Sequence, residues 1–309
     1  PKTVQSLLQL CFARPEFRPV CEAAADPLRP DLSPKIEGTK GSGGVPPLQK
    51  DRDSALPSVS PCLPVRSEFG AFKGRHRGER CFVVGCAPSL AKLDLGRLAG
   101  ETVFTVNRGY LAAKLGLPTA TYHVVSDPQT YQAYSREIRE AAVGQRFYRS
   151  DVWELQEYSG AVDRESAVRF PFHWAPTMDE GHFSVDASAG VYRGFTVVLD
   201  AVQLAFMMGF AEVYIIGCDL DYSGPMSHVY GTGAYEQRRI DEMPIVRVLQ
   251  AMAVAAAVFQ RSGRVLANAG VGGCLDTIPR VPFSSLFDAG DAPTDPGSRT
   301  CLDPATVEL

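Results

Sequence analysis

The sequence predicts an α/β fold: a doubly wound, mostly parallel sheet with helices on both faces, Rossmann-like, carried by a single domain between polar tails. Three observations lead there. Short apolar runs rich in Val, Ile and Phe alternate with stretches of helical periodicity, the pattern of successive βαβ units. These runs stop at small or polar residues: Gly85, Asn107, Ser126-Asp127, Gly217 and Asn268. With 309 residues and 45% hydrophobic composition the chain can bury a full core, yet its apolar residues are concentrated away from both ends.

The elements follow in order. Residues 1–66 begin with a weakly amphipathic piece, Thr3 to Phe12, then become rich in Pro, Ser, Gly and charge, so they read as a disordered tail or linker. The basic cluster Lys73-Gly-Arg75-His76-Arg77-Gly-Glu-Arg80 comes next, either a solvated charged turn or a contact for phosphate or a membrane. Cys81 to Asn107 then forms the organising unit: a buried strand, a turn at Gly85-Cys86-Ala87-Pro88, a short helix opened by Ser89, and a second strand from Val103 to Val106. Ligands of open α/β sheets bind outside the carboxyl ends of such strands, where helix N-termini offer N–H groups to anions, so a nucleotide or phosphate site is expected here.

Leu111 to Leu117 reads as a short helix closed by Gly116 and Pro118, and residues 121–127 as a third strand with a polar end. Residues 130–143 suit a charged surface helix and Arg146 to Tyr148 a short strand. The stretch 150–183, with Trp153, His173, Trp174 and His182, has no clear period and reads as a mobile, acceptor-side insertion. Ala187 to Val191 leads into a helix through Met208, with Val198, Ala201, Val202, Ala205 and Met208 at helical spacing and Gly209 as its terminator. Val213 to Gly217 is a strand, Pro244 to Arg261 an Ala-rich helix and Arg264 to Asn268 another strand. The domain is expected to span 67–287, with 288–309 a polar, Pro-containing tail.

Bulk properties exclude some classes. A net charge of −4 without any nucleic-acid motif argues against a nucleic-acid partner. The eight cysteines lack metal-site spacing, and two of them, Cys81 and Cys218, sit in apolar strands, which points to a reduced, cytoplasmic setting. No apolar run reaches the roughly 20 residues of a membrane-spanning helix.

Several residues carry chemistry. His228, in the loop Gly224 to Gly231, has the side chain suited to proton transfer near neutrality, and is equally placed to be a surface loop histidine. Asp219 and Asp221 form the D-x-D that many glycosyltransferases use to hold a metal on a nucleotide diphosphate, although aspartates also cap turns after strands. Asn107 and Asn268 could read a base or sugar through their amides, or serve the turns where their strands stop. Ser188 could present a hydroxyl and helix N–H groups to a phosphate, or act as an ordinary N-cap.

Taken together, Gly85-Cys86-Ala87-Pro88-Ser89-Leu90, Asn107, Ser188-Ala189-Gly190-Val191-Tyr192, Val213 to Asp219 and Ser227-His228-Val-Tyr230-Gly231 resemble, in the same order, the bacterial sialyltransferases of glycosyltransferase family 42. From about Phe72 to Phe287 the pattern is also similar to a wider bacterial group related to the 6-hydroxymethylpterin diphosphokinase (MptE-like) domain, including its closing segment Ala267 to Gly273 and Pro279 to Val281. The first resemblance implies a sialyltransferase-like variant of the GT-A fold. It further implies inverting transfer of an acidic sugar from a CMP-activated donor to a glycan or glycolipid hydroxyl, with no essential metal.

On that resemblance His228 is the general base, while Tyr222 and Tyr230 are the counterparts of phosphate-stabilising tyrosines. Gly85, Cys86, Ala87, Ser89, Asn107, Ser188, Ala189, Gly190, Asp219 and Asn268 are expected around the donor. Cys86 stands where the families usually place asparagine, Ala87 replaces a glycine, Ala189 a serine and Asp186 an arginine, and the segment between Tyr222 and His228 is short. The second resemblance implies ATP-dependent pyrophosphoryl transfer to a pterin-like alcohol, with Mg²⁺ on Asp219 and Asp221 and Asp127 as a third ligand. A nucleotide-binding module without catalysis is a third reading. The setting expected is the cytoplasm or the inner face of a membrane, with oligomeric state left open.

Overall fold

Seven parallel strands form the main sheet of the computed structural model, in the order β5-β4-β3-β2-β1-β8-β9. The structure describes residues 68–158, 167–173, 182–241 and 244–287. The expected tails at 1–66 and 288–309, with Cys11, Cys21, Cys62 and Cys301, and Trp174 lie outside the described residues. The strands are β1 (Arg80–Val84), β2 (Thr102–Val106), β3 (Tyr122–Val125), β4 (Gln145–Arg149), β5 (Ala167–Phe170), β8 (Glu212–Ile216) and β9 (Val265–Asn268). Two further strands, β6 (Phe172–His173) and β7 (Val191–Tyr192), make a separate parallel pair. The helices are α1 (Pro128–Glu140), α2 (Ser150–Tyr158), α3 (Val197–Met208), α4 (Ala234–Asp241) and α5 (Ile245–Arg261).

Successive residues of a strand face opposite sides, and β1 shows it plainly. Cys81 and Val83 join the core formed with Val202, Met208 and the apolar stripe of α5, whereas Phe82 and Val84 pack on the other side with Leu90, Leu98 and Phe283. Both faces are covered, which is why the strands read as continuous apolar runs. The fold is α/β, doubly wound and Rossmann-like. No helix among the described residues is long and apolar enough to cross a membrane. Cys81, Cys86, Cys218 and Cys274 carry free thiols.

Three expectations change. The short helix opened by Ser89 is instead two 3-10 turns, Pro88–Lys92 and Leu95–Leu98, and the Leu111 to Leu117 helix is a 3-10 turn at Gly109–Leu115. The stretch taken as an irregular insertion contributes α2 and the edge strand β5, paired to β4 from Arg146–Ala167 to Arg149–Phe170. The helix ending at Met208 begins at Val197 with Thr196 as its N-cap, well after Ser188, because the pair β6–β7 intervenes.

The basic cluster before β1 also finds its place. Backbone N–H groups of Gly74, His76 and Gly78 donate to the carbonyls of Met207 (3.0 Å), Met208 (2.8 Å) and Gly209 (3.3 Å), closing the carboxyl end of α3, where positive charge is favourable. His76 stacks on Phe210 (4.5 Å between centroids) and contacts the Tyr122 hydroxyl at 2.6 Å and Glu79 at 2.8 Å.

Candidate active site

The chain runs outward from β1 to β5 and then returns to the other side of β1 as β8, so strand order reverses between β1 and β8. Crevices form outside the carboxyl ends of the strands at such a reversal. A cavity of about 490 Å³ opens there. It is lined by the residues that follow β1 (Gly85, Cys86, Ala87), β2 (Asn107, Arg108), β3 (Ser126, Asp127) and β8 (Gly217 to Tyr222), by Arg149 at the end of β4, and by Arg193, Phe195 to Val198, Asp200, Ser227, His228, Tyr230 and Glu236.

Its floor is a crossing of two main chains. The Gly85 N–H donates to Ile216 O and the Ala87 N–H to Gly217 O, each at 2.9 Å. A Cβ on Gly85 would lie 2.1 Å from the Gly217 carbonyl oxygen, so only glycine permits the approach. Asp219 accepts from the Ser89 N–H (3.2 Å) and hydroxyl (2.5 Å). These first-turn N–H groups are therefore occupied in tying β1 to β8, and with only 3-10 turns behind them they do not form the expected anion-binding helix start. Three helices open on the cleft, α1 through Asp127 and Thr130, α5 through Pro244 and Arg247, and α3 through Thr196, Val197 and Val198, where Thr196 Oγ1 accepts from the Val198 N–H at 3.4 Å.

Backbone strain gathers at the same place. Among the described residues the non-glycine positions with positive φ are Asn107 (46°), Phe195 (61°) and Leu220 (52°), and all three line the cleft. Such conformations cost about 1–3 kcal/mol each and concentrate at ligand clamps. Asn107 also accepts weakly from the Ser126 N–H at 3.4 Å, holding the ends of β2 and β3 together.

His228 lines the cleft beside this floor, its loop pinned by the Val229 N–H donating to Cys86 O at 2.8 Å. Its Nδ1 is 2.8 Å from Ser227 Oγ, which in turn meets Thr232 Oγ1 at 2.8 Å, and its ring stacks on Tyr230 at 5.1 Å with the planes 16° apart. Burial moves the His228 pKa below the usual 6.5, opposed by Glu236 and assisted by Arg108, so the imidazole is neutral at pH 7. Burial raises the pKa of Tyr222 and Tyr230, keeping both hydroxyls protonated, and pushes the Cys86 thiol up to about 12. Arg108 lies over the rings of Tyr134 (3.6 Å) and Tyr230 (4.5 Å) and pairs with Glu236 at 3.3 Å, joining α1, the end of β2 and α4.

Of the residues named from sequence, Gly85, Cys86, Ala87, Asn107, Asp219, Asp221, Tyr222, His228 and Tyr230 come together around the cleft. Others do not line it. Ser89 is buried beneath Asp219. Ser188 donates from its N–H (3.1 Å) and hydroxyl (2.5 Å) to Asp186, while Gly190 packs against the His173 ring, so the segment Ser188-Ala189-Gly190 supports β7. Asn268 uses its whole amide on the loop after β9, accepting from the Gly270 N–H at 2.8 Å and donating to Leu275 O at 2.9 Å.

Each aspartate proposed as a metal ligand has a protein partner: Asp219 holds Ser89, Asp221 accepts from the Ser223 N–H (3.0 Å) and hydroxyl (2.7 Å), and Asp127 caps α1 through the Gln129 N–H (3.0 Å) and the Thr130 hydroxyl (2.9 Å). Among the described residues no group of three or more His, Cys, Asp or Glu side chains is arranged to hold a metal ion.

Sequence reasoning missed Thr196, Arg108, Arg149, Arg193, Arg247 and Asp200, all of which line the cleft. One signal was available: α3 is apolar on every side apart from Asp200 and Gln203, and a charge inside such a helix asks for an explanation.

No protein-family model matches the chain, and no curated protein matches it. Among solved structures it is similar to the MAf glycosyltransferase from Magnetospirillum magneticum AMB-1, with 15% identity and a TM-score of 0.43 over 72% of this chain. The match spans 38% of that protein's chain.

Proposed function

We propose that the protein is a glycosyltransferase that moves an acidic sugar from a CMP-activated donor to a glycan hydroxyl with inversion, using His228 as general base. The observation that carries this reading is the placement of His228: its Nδ1 lies 2.8 Å from Ser227 Oγ, it lines a cleft at the reversal point of the sheet, and burial favours its neutral form. In the tautomer whose Nδ1–H donates to Ser227 Oγ, Nε2 carries the free lone pair and is the proton acceptor. As the acceptor hydroxyl attacks the anomeric carbon its proton passes to Nε2, a new C–O bond forms, and the bond from the anomeric carbon to the phosphate oxygen breaks to release CMP. The protonated Tyr222 hydroxyl then donates to the charge developing on that phosphate. Tyr230, stacked on the imidazole, holds its plane.

Removing the base by His228→Ala is expected to lower transfer by about 10²–10⁴-fold while leaving CMP affinity within about twofold. An unchanged rate removes His228 from the mechanism. Transfer that persists in chelator separates this reading from Mg²⁺-dependent pyrophosphoryl transfer.

A further inference from the structure

α1 is interrupted at Tyr134, whose backbone (φ −132°, ψ 23°) leaves the helical region inside the helix. The interruption falls where the Tyr134 side chain enters a run of stacked groups in the cleft. Its ring lies 3.6 Å from the Arg108 guanidinium, Arg108 lies 4.5 Å from the ring of Tyr230, and Tyr230 stacks on His228 at 5.1 Å. The run passes from α1 through the residue after Asn107 to the loop before α4, and it ends on the imidazole.

Arg108 is also held at its edge. Nη1 donates to Glu236 and Nη2 to Glu137, each at 3.3 Å. Glu236, 5% exposed, is fixed in turn: Oε1 accepts from the Tyr134 hydroxyl at 2.9 Å and Oε2 from the Gly233 N–H at 3.1 Å. Glu137 accepts from the Tyr110 hydroxyl at 3.1 Å. The orientation of Arg108 thus rests on two rings, two carboxylates and Tyr110. A planar guanidinium can meet ring faces and carboxylates at once, which a lysine cannot. Because its terminal nitrogens are spent inside the protein, Arg108 serves the wall of the cleft and not the grip on a ligand.

Resting on the reading of His228 as general base, we propose that Arg108 and Glu236 are positioning residues for it: Arg108, held by Glu236 against Tyr134, fixes the plane of Tyr230, and Tyr230 fixes the plane of the imidazole. The pair also brings charge to the site. Burial lowers the His228 pKa, Glu236 of α4 raises it and Arg108 lowers it further, while Tyr230 of the same loop and Cys86 of the turn after β1 stay protonated near neutrality. The two residues therefore support the imidazole together but act on its charge in opposite senses, and that opposition separates a specific role from general support of the fold.

The test is an NMR titration of the His228 imidazole, identified by the signal missing in His228→Gln, in wild-type, Arg108→Gln and Glu236→Gln proteins, with circular dichroism as the check on folding. Glu236→Gln is expected to move the titration to lower pH and Arg108→Gln to higher pH. Arg108→Lys keeps the charge but not the planar stack, so it should titrate near wild type while lowering kcat about tenfold with KM for the donor within about twofold, measured with CMP-N-acetylneuraminic acid and lactose. Arg108→Lys carries the test by itself if a glutamine variant does not fold. Glutamine variants that move the titration the same way, or not at all, reduce the pair to support of the fold and overturn the proposal, as does full kcat in Arg108→Lys. The titration needs no substrate: a wild-type protein without transfer overturns the glycosyltransferase reading alone, and the titration still decides whether Arg108 and Glu236 govern this imidazole.

Discussion

At its carboxyl end α3 is closed: three backbone N–H groups of the segment 74–78 land on its last carbonyls and on Gly209, and His76 is stacked and hydrogen-bonded on both sides. Its amino end, at the cleft, is built the other way. Phe195, just ahead of the N-cap, is held at positive φ, and Asp200 in the first turn is a buried carboxylate compensated by Arg149, Arg193 and the Ser126 hydroxyl. One helix thus has an end capped by backbone and an end that retains strain and buried charge. Backbone caps stabilise a fold, whereas strained positions persist where something else binds.

The sharpest way to break this contrast is at the floor of the open end. Gly85→Ala sets a Cβ 2.1 Å from the Gly217 carbonyl, and the forced separation of β1 from β8 is expected to cost about 3 kcal/mol or more. Chemical denaturation measures it, and a loss under about 1 kcal/mol contradicts the proposed crossing.

Next in size is an acid effect on the other face of the sheet from α3. His123 is wholly buried against Thr105 (2.9 Å), and burial lowers its pKa to about 3. The unfolded chain binds a proton near pH 6.5 that the folded one refuses, so stability falls as pH drops through that value, by about 2 kcal/mol at pH 5. Asp200 works in the opposite sense over part of this range: its pKa is raised to about 6 by burial, so its contribution improves as pH falls from about 6 to 4. Comparing wild-type with His123→Phe between pH 7 and 5 isolates the histidine, and the variant should show the shallower acid slope.

At the closed end, His76→Ala removes a stacking contact and two hydrogen bonds and should cost about 2 kcal/mol with kcat/KM unchanged. A fall in kcat/KM beyond that explained by unfolding would show that the two ends are coupled. The smallest effect is expected at Asn107→Gly: glycine suits φ of 46°, so stability should stay within about 0.5 kcal/mol, while ligand affinity falls. Unchanged affinity would make Asn107 a turn residue only.

Much of the fold around this contrast was legible in sequence, though the contrast itself was not. The strands β1, β2, β3, β8 and β9 were clear because burial on both faces writes continuous Val, Ile and Phe runs, and the polar residues ending them marked the cleft. What stayed hidden has physical reasons. Gly85 resembles a phosphate-loop glycine, yet the space it frees is taken by another backbone. Strand β5 is four residues long and half-polar, with burial only at Ala167 and Phe170, so it carries no strong signal. The start of α3 was misplaced because Ser188 looks like a cap, whereas Thr196, behind the positive-φ Phe195, is the cap. Nothing in the local sequence singles out Arg149 or Arg193, which the fold brings to the same cleft.

The crossing of Gly85 and Gly217 has a last consequence, for how the site can change. The loop of His228 is moored to this floor through a main-chain atom, the carbonyl of Cys86, and the floor itself is held by main-chain bonds. The side chain at position 86 places a thiol 3.6 Å from Val106 O and against Tyr230, the ring on which His228 stacks. Exchanging Cys86 for the asparagine of the resembling families would keep the carbonyl that moors the loop while altering the side chain that meets Tyr230. Position 86 therefore reaches the loop of His228 twice, through its carbonyl at Val229 and through its thiol at Tyr230.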